Sequence, residues 1–428
     1  MPSTSATAVA TRPERPRGLV TALGIGQICS WGSLYYSFPL IAEAMNADLG
    51  WSKPSLYGAA TLGLVATAVS AYPVGIAIDR GYGRWLMGAA SFLAGCFLLL
   101  WSQANSIVLF YIAVTAIGAL QAALLYEPAF AVIARRTGAA HARPAITALT
   151  LWGGFASTVF IPLVQWLLNQ WGWREALLVL AAINAFVCAS TYLLFIRPER
   201  DVVEDSNVSQ QTRQEQNKQA VRDALHQPVF WALLAALTTY AAVFSAFTFH
   251  MYPLLLERGL NTTSVVQAIA LIGPAQVAGR IILSIFARRI PIRLVGTVIT
   301  LIFPLIFGAL MLMQPGFWTI AVICIAYGAI NGIFTIVRGM VVPEMLTRRA
   351  YGAINGLITV PVSAAKAAAP LGAAVLWSVG NSYNSVLGAI VIGSCVLATS
   401  FVLAATLSRS RIVKESDYTS STSRDGAS

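Results

Sequence analysis

Apolar residues fall into twelve long runs along this chain, separated by short polar breaks. Each run has about twenty residues, the helix length needed to cross a hydrocarbon layer about 30 Å thick. Most runs lack the polar stripe that a surface helix of a soluble protein carries. The pattern predicts an all-α integral membrane protein with transmembrane helices at residues 18–41, 55–78, 86–103, 107–133, 145–168, 174–196, 228–254, 263–286, 293–313, 317–340, 352–377 and 383–407.

One long polar segment divides the twelve runs into two sets of six. It is rich in Gln, Glu, Asp, Asn and Arg and cannot bury a core, so we expect a linker. The two sets repeat one pattern, because Gly118-Ala-Leu-Gln121 in the fourth run corresponds to Gly328-Ala-Ile-Asn331 in the tenth, about 210 residues later. Such a repeat predicts two pseudo-symmetric six-helix bundles. The expected units are a tail (1–17), a bundle (18–196), the linker (197–227), a second bundle (228–407) and a tail (408–428).

The basic residues predict how the helices are oriented. The net charge is +11, but only 11% of the residues are charged and 57% are hydrophobic. Most basic residues flank one side of the predicted helices, and the positive-inside rule then places both termini and the linker in the cytoplasm. The charge therefore indicates orientation in a membrane, which we expect to be a bacterial inner membrane, and not nucleic-acid binding. Residues on the basic side include Arg80, Arg84, Arg135, Arg136, Arg143, Arg288, Arg289, Arg293, Arg348 and Arg349.

Signatures of other chemistry are missing from the sequence. The five cysteines lie within apolar runs without CxxC spacing, so neither a disulfide framework nor a metal site is expected. There is no HExxH, no Gly-x-Ser-x-Gly and no phosphate-binding loop of the form Gly-x(4)-Gly-Lys-Ser/Thr. We therefore expect no enzyme activity, no cofactor and no ATP hydrolysis, and a monomer in the lipid bilayer.

A short motif lies between the second and third predicted helices. The stretch from Gly75 to Arg84 reads Gly-Ile-Ala-Ile-Asp-Arg-Gly-Tyr-Gly-Arg. It closely resembles the loop signature of the major facilitator superfamily, Gly-x-x-x-Asp-Arg-x-Gly-Arg, with one extra residue. Asp79 at a helix C-terminus opposes the helix dipole, so we expect it to find a partner elsewhere. The resemblance implies a gate facing the eleventh helix, and a surface pair with Arg84 is the alternative. The predicted gate residues are Gly75, Asp79, Arg80, Gly83, Arg84 and Arg338.

Four charged residues lie within the predicted helices, where a charge is costly and marks a functional candidate. Lys366 lies about 22 Å from the cytoplasmic end of the eleventh helix, which makes snorkelling difficult. Arg280 lies nearer that side in the eighth helix, and its guanidinium suits a carboxylate. Glu127 in the fourth helix suits reversible proton carriage, or it is a structural partner of Arg280 or Arg338. Arg338 is close to the cytoplasmic end of the tenth helix, where a snorkelling or gate residue is expected.

Lys366 and Arg280 together resemble the basic pair of the oxalate–formate antiporter and monocarboxylate porter branches of that superfamily. The run Gly50-Trp-Ser52 before the second helix is also similar to those branches. The resemblance implies carboxylate binding, and positive charge by itself favours an anion. Aromatic stripes on the first and seventh helices are either substrate walls or helix packing. The predicted substrate-binding residues are Lys366, Arg280, Tyr35, Trp31, Gln27, Tyr240 and Phe244. Glu127 and His250 are the predicted proton-coupling residues.

These features predict a secondary active transporter that works by alternating access. We expect a small organic anion, a mono- or dicarboxylate, moved by proton coupling or exchange. The alternative is an efflux pump for a toxic compound, either a drug or a metalloid such as arsenite, for which Cys29 and Cys324 lie on predicted cavity helices. Drug–proton antiporters of the superfamily carry a Gly-x(6)-Gly-Pro-type motif in the fifth helix. Here that helix has Gly153-Gly154 and only later Pro162, and this departure weakens the drug-efflux alternative.

Overall fold

The computed structural model describes residues 17–138, 142–201, 219, 221–286, 290–314, 316–347 and 351–425. Over these residues the fold is all-helical, and each predicted span corresponds to one helix. We number the helices α1 (Arg17–Trp31, a π-helical turn Gly32–Tyr36, and Phe38–Leu49), α2 (Lys53–Asp79), α3 (Gly83–Ser102), α4 (Ile107–Leu124 and Tyr126–Thr137), α5 (Arg143–Gly154 and Ala156–Trp171), α6 (Trp173–Ala182, Ile183–Cys188 and Ala189–Phe195), α7 (Pro228–Glu257), α8 (Thr262–Ala270 and Ile272–Phe286), α9 (Ile292–Leu312), α10 (Phe317–Val341, continued by Val342–Leu346), α11 (Tyr351–Gly380) and α12 (Tyr383–Asp425).

Eleven of these twelve helices are long and apolar enough to cross a membrane. The remaining one is α1, which consists of the helices Arg17–Trp31 and Phe38–Leu49 on either side of the π-helical turn. α1 also continues to Leu49 instead of ending at residue 41, and α4 is interrupted at Leu125 instead of running through. Most of the predicted linker lies outside the described residues, as do Arg288, Arg289, Arg348 and Arg349.

The two six-helix bundles repeat one helix contact. Gly118 of α4 lies against Gly63 of α2, so closely that a side chain at position 118 would collide with the backbone of α2. In the second bundle, Gly328 of α10 lies in the same way against Ile272 of α8. Close approach of this kind is the usual reason for small residues between membrane helices. The Gly-Ala-hydrophobic-amide repeat therefore marks the same helix–helix contact in each bundle.

The two membrane faces differ in charge. Arg80 and Arg84 follow α2 at the face where α1 begins, and Arg135 and Arg136 end α4 at that same face, which we call the basic face. The other side is called the opposite face. Asp201, just after α6, pairs with Arg135 at 3.0 Å and with Arg136 at 3.6 Å. These ion pairs fasten α4 to α6 within the first bundle.

Proline explains the interruption of α4. Pro128 has no N–H, and its ring would clash with the carbonyl of Leu124 in a continuous helix. The chain accordingly becomes extended at Leu125 and a new helix begins at Tyr126. The side-chain amide of Gln27 on α1 donates to the freed carbonyls of Leu124, at 2.9 Å, and Leu125, at 3.1 Å. Backbone groups exposed by a broken membrane helix need such partners.

The π-helical turn of α1 likewise receives a hydrogen bond from a glutamine, this time one on α4. The side-chain amide of Gln121 on α4 donates to the carbonyl of Leu34, within the turn, at 2.7 Å. α1 and α4 thus each have an irregular segment, and each segment receives a glutamine from the other helix. Gln27 is completely buried and Gln121 nearly so. We call these contacts the reciprocal glutamine bonds.

We predict that Gln27→Leu lowers the unfolding free energy by about 1–2 kcal/mol, because it leaves two carbonyls without donors. Thermal unfolding of the purified protein in detergent measures the loss. In a Pro128→Ala background, residue 128 regains an N–H for the Leu124 carbonyl, so the same substitution should cost clearly less. Equal losses in the two backgrounds would contradict the role given to Gln27.

Candidate functional site

Lys366 lies halfway along α11 and faces aromatic rings of the first bundle. Its ammonium nitrogen is 5.3 Å from the ring centre of Tyr35 and 6.0 Å from that of Trp31. Within the described part of the chain, no carboxylate lies within 4.0 Å of it. Cation–π contacts of this kind partly offset the cost of a desolvated cation. No described carboxylate therefore competes with an anionic ligand for the Lys366 ammonium.

Two buried hydrogen-bond donors lie beside Lys366. The indole N–H of Trp31 and the hydroxyl of Tyr35 make no hydrogen bond of good geometry to a described residue, although Ser245 lies near the Tyr35 hydroxyl. Buried polar atoms are normally hydrogen-bonded because leaving them unpaired costs about 1–3 kcal/mol each. A cation with two unused donors is suited to bind a group with several acceptors, such as a carboxylate.

Arg280 on α8 connects the two bundles. It is 8% exposed, and its guanidinium donates to the carbonyl of Thr150 on α5 at 2.6 Å and to that of Gly332 on α10 at 3.4 Å. The side chains of Tyr36 and Tyr126 lie beside it. Because two backbone carbonyls already accept from Arg280, this residue differs from Lys366, which has no such partner.

Four aromatic side chains lie between the two cations. The ring of Trp31 is 5.2 Å from that of Tyr35, 6.1 Å from that of Tyr36 and 5.2 Å from that of Tyr126. Tyr35 and Tyr36 belong to the π-helical turn of α1, Trp31 directly precedes this turn, and Tyr126 is the first residue after the break in α4. We call Trp31, Tyr35, Tyr36 and Tyr126 the aromatic bridge. The aromatic bridge, which connects Lys366 to Arg280 in one candidate site, therefore lies at the irregular segments of α1 and α4.

Glu127 and Arg338 also contribute to the field at Lys366. The charge of Glu127 is favourable for the Lys366 ammonium and that of Arg338 is unfavourable. Both side chains are exposed, and neither has an ion-pair partner among the residues whose placement is described. Glu127 is thus an unpaired carboxylate near the candidate site, and the structural pairing of Glu127 with Arg280 or Arg338 is not observed.

The other predicted binding residues have different surroundings. Gln27 is fully buried at the break in α4, which leaves it no exposure to a cavity. The hydroxyl of Tyr240 donates to Asn331 at 2.6 Å and its ring packs 4.2 Å from that of Phe334, so it serves helix packing here. Phe244 stacks on Tyr240 and also lines a pocket between the bundles.

His250 lies in a closed layer between the bundles, on the side of the site toward the opposite face. Its ring stacks on Tyr57 of α2 with the centroids 4.1 Å apart. Its Nε2 lies 2.8 Å from the carbonyl of Pro370 and its Nδ1 lies 3.0 Å from the hydroxyl of Tyr383. A carbonyl only accepts, so in the neutral ring Nε2 donates and Nδ1 accepts from Tyr383. His250 is therefore a contact between bundles, with both ring nitrogens in use.

A buried ion pair lies next to this layer. Lys53 at the start of α2 pairs with Glu43 of α1 at 2.7 Å, and its ammonium lies 4.9 Å from the ring centre of Trp377 and 5.4 Å from that of Tyr383. Glu257 accepts hydrogen bonds from the Trp377 indole and the Tyr383 backbone. One bundle thus inserts a lysine between two aromatic rings of the other, which holds the opposite face closed.

The loop motif lies at the end of α2 on the basic face. Asp79 and Arg80 are exposed, and the Asp79 carboxylate has no ion pair with a described residue, although the Asp79 carbonyl accepts from Arg135. Gly81 has a φ of +90°, so the tight turn depends on this glycine. Gly83 packs against Val132, whereas no described neighbour lies within 4 Å of the position that a Cβ at Gly75 would take. Arg84 contacts Trp85 instead of Asp79.

The two cysteines considered for a metalloid have different surroundings. The Cys29 thiol lies against that of Cys188 on α6, and Cys324 is buried in α10. Over the described ranges, no three His, Cys, Asp or Glu side chains form a group that would hold a metal ion.

Comparison with known proteins identifies the family. The model of the Major Facilitator Superfamily matches residues 23–370. The chain belongs to the major facilitator superfamily. Monocarboxylate transporter 13 of Rattus norvegicus is 26% identical over 333 residues, which cover 76% of this chain and 72% of the relative. The Bos taurus protein of the same name is 30% identical over 176 residues, covering 41% of this chain and 39% of the relative.

Solved structures of major facilitator proteins share the fold. The nucleoside transporter NupG matches with a TM-score of 0.71 and 14% identity, over 91% of this chain and 98% of that one. A bacterial homologue of the human lysosomal transporter Spinster, in an inward-facing and unoccupied conformation, matches with a TM-score of 0.66 and 16% identity, over 92% of this chain and 95% of that one. This protein is therefore a multi-pass membrane transporter of the major facilitator class with a small-molecule substrate.

Sequence reasoning missed several residues of this major facilitator site. Tyr36 and Tyr126 complete the aromatic bridge, and Lys53 and Tyr383 close the opposite face. The position of Tyr126 directly before Glu127-Pro128 was the available indication, because a proline within a membrane helix marks a break. The partners of Lys53 come from distant helices, and no local pattern indicates them.

We predict that Lys53→Gln lowers the unfolding free energy by about 2–3 kcal/mol, because the nearly buried Glu43 loses its partner. The double variant Lys53→Gln/Glu43→Gln should recover part of this loss, and thermal unfolding measures both. Arg174→Gln is the control, since its pair with Asp48 is largely exposed and its loss should change the melting temperature little. Equal losses of stability at the two ion pairs would contradict the stabilising role given to the buried Lys53–Glu43 pair.

Proposed function

We propose that this protein is a secondary active transporter of small organic carboxylates, working by alternating access between its two bundles. The observation that carries the proposal is Lys366, a cation halfway through α11 with no carboxylate partner in the described structure and two unused donors beside it. A charge at this depth is costly to maintain and marks a substrate or ion pathway. The kinship to monocarboxylate transporter 13 supports the same substrate class.

The expected binding mode follows from the geometry. A carboxylate bound by Lys366 can accept from the Trp31 indole and the Tyr35 hydroxyl, which satisfies three donors at once. Arg280 at the other end of the aromatic bridge adds positive potential. Charge-assisted hydrogen bonds of this kind are roughly twice as strong as neutral ones. A neutral solute would leave the lysine uncompensated, so the site favours an anion.

Alternating access is supported by the distribution of contacts between the bundles. The Tyr57–His250 stack and the Lys53 contacts close the opposite face, whereas Glu127 and Arg338 are exposed. Arg280 reaches across to Thr150 with a side chain, a contact that can be released without unfolding a helix. We expect these contacts to separate when the transporter opens to the opposite face, as rocking bundles require.

We predict that Lys366→Gln reduces carboxylate uptake into proteoliposomes by at least about 30-fold, because an interaction with a buried charge is worth about 2–5 kcal/mol. Lys414→Gln, near the end of α12, makes the same charge change outside the site and should leave uptake unchanged. A panel of small carboxylates, metalloid oxyanions and common drugs tests the alternative. Transport of a drug or metalloid with no carboxylate response, or uptake indifferent to Lys366, would overturn the proposal in favour of export.

Proton coupling is proposed for Glu127, with His250 as the second candidate. Glu127 is exposed, lies at the start of the second part of α4, and its charge acts on Lys366. Protonation of Glu127 would remove a negative charge from the surroundings of Lys366. The positive electrostatic potential at the site would then rise, which favours binding of a substrate anion. A proton and a carboxylate would then bind cooperatively, which is the requirement for symport.

We predict that Glu127→Gln loses the acceleration of uptake by an imposed proton gradient and retains more of its carboxylate exchange. Uptake with and without a pH gradient, compared with exchange between equal pools, measures the two separately. Glu199→Gln, at the basic face beyond α6, is the matched control. If the gradient response survives in Glu127→Gln and disappears in His250→Gln, the proton carrier is the histidine.

A further inference from the structure

An apolar pocket adjoins the candidate site on its side toward the opposite face. It lies between the bundles, with walls from α1, α5, α7, α8 and α10, and none of its lining residues is charged. Its apolar walls are formed mainly by Tyr36, Leu40, Ile161, Phe244, Met251 and Ile272. Tyr36 belongs both to this pocket and to the aromatic bridge, so the pocket continues directly from the charged site.

α8 connects the pocket to Arg280. Ile272, Gln276 and Arg280 are spaced four residues apart and share one helix face, and the first two line the pocket. At 1.5 Å per residue, Ile272 lies about 12 Å from Arg280 along the helix axis. A molecule whose carboxylate lies between the two cations can therefore extend by about this length along α8 and remain between the bundles.

The far part of the pocket contains one unused polar group. Tyr327 of α10 is 3% exposed, and its hydroxyl has no hydrogen-bond partner among the described residues, although Thr248 lies near it. Gln276 supplies an amide in the same wall. A second carboxylate here would be desolvated without a cation, at a cost of several kcal/mol. A neutral acceptor such as a carbonyl or ether oxygen would instead satisfy the tyrosine.

We propose that the substrate is a monocarboxylate with an extended apolar body, aliphatic or aromatic, that occupies this pocket and carries a neutral acceptor near its far end. The cavity has a volume of about 30 Å³ in this structure, so the proposal requires it to widen as the bundles separate. The inference rests on the proposed function, because it takes the carboxylate to be bound by Lys366 in the field of Arg280. It goes further by excluding very short acids and dicarboxylates as good substrates. Affinity then comes from apolar burial, and the cations provide orientation and charge selection.

Binding of acetate, butanoate, hexanoate, 3-phenylpropanoate and adipate to the purified full chain tests the proposal, with ligand-induced thermal stabilisation as the readout. Affinity should rise about fourfold for each methylene from acetate to hexanoate, and adipate should bind more weakly than hexanoate. Ile161→Trp should flatten this dependence by filling the pocket. Val159→Trp, on the exposed side of the same helix, is the control and should preserve it.

A second variant, Tyr327→Phe, removes only the hydroxyl oxygen that faces the pocket. Tyr327→Phe should reduce by about fivefold the preference for 6-oxoheptanoate over heptanoate, because it removes a single hydrogen bond. Equal affinity for acetate and hexanoate, or adipate binding as well as hexanoate, would overturn the pocket proposal and leave carboxylate transport standing. Equal binding of 3-phenylpropanamide and 3-phenylpropanoate, with no effect of Lys366→Gln, would overturn the proposed function itself.

Discussion

A hydrocarbon layer offers no water to satisfy backbone polar groups, and the arrangement of this site depends on that constraint. α1 and α4 both interrupt their regular hydrogen bonding next to the candidate site. Gln27 and Gln121 restore the missing partners across the interface between these two helices. Because the aromatic bridge is carried by the two irregular segments, its geometry is set by these hydrogen bonds as well as by side-chain packing.

Lys366 and Arg280 both lie within membrane-spanning helices and have different physical roles. Arg280 donates to backbone carbonyls on α5 and α10, so much of its hydrogen-bonding capacity serves the contact between bundles. Lys366 contacts only aromatic faces and has no acceptor of comparable strength in the described chain. A ligand that binds Lys366 therefore gains more than one that competes for Arg280. The planar, multiply donating guanidinium and the compact ammonium suit these separate tasks.

Hydrophobic run length was sufficient to predict the twelve helices, because span length depends only on membrane thickness. The depth of Lys366 followed from counting residues. The different surroundings of Gln27, Trp31 and Tyr35 did not follow from their four-residue spacing, because they are set by groups on other helices. Gln27 bonds to the broken segment of α4, whereas Trp31 and Tyr35, on either side of the start of the π-helical turn, contact Lys366. The π-helical turn depends on a hydrogen bond from Gln121 on α4. The periodicity of residues within α1 cannot predict a partner from another helix.

The charged site and the closed layer are joined through one helix pair. Ser245 of α7 donates to the carbonyl of Lys366, and His250, five residues further along α7, bonds to the carbonyl of Pro370. α7 and α11 are thereby fastened at two points, one beside the candidate binding cation and one in the layer that closes the opposite face. Tyr383 continues the connection, since its hydroxyl contacts His250 and its ring contacts Lys53. If an anion binds at Lys366 as proposed and displaces α11, the His250 and Lys53 contacts are strained as well, which would connect substrate binding to the layer that closes the opposite face.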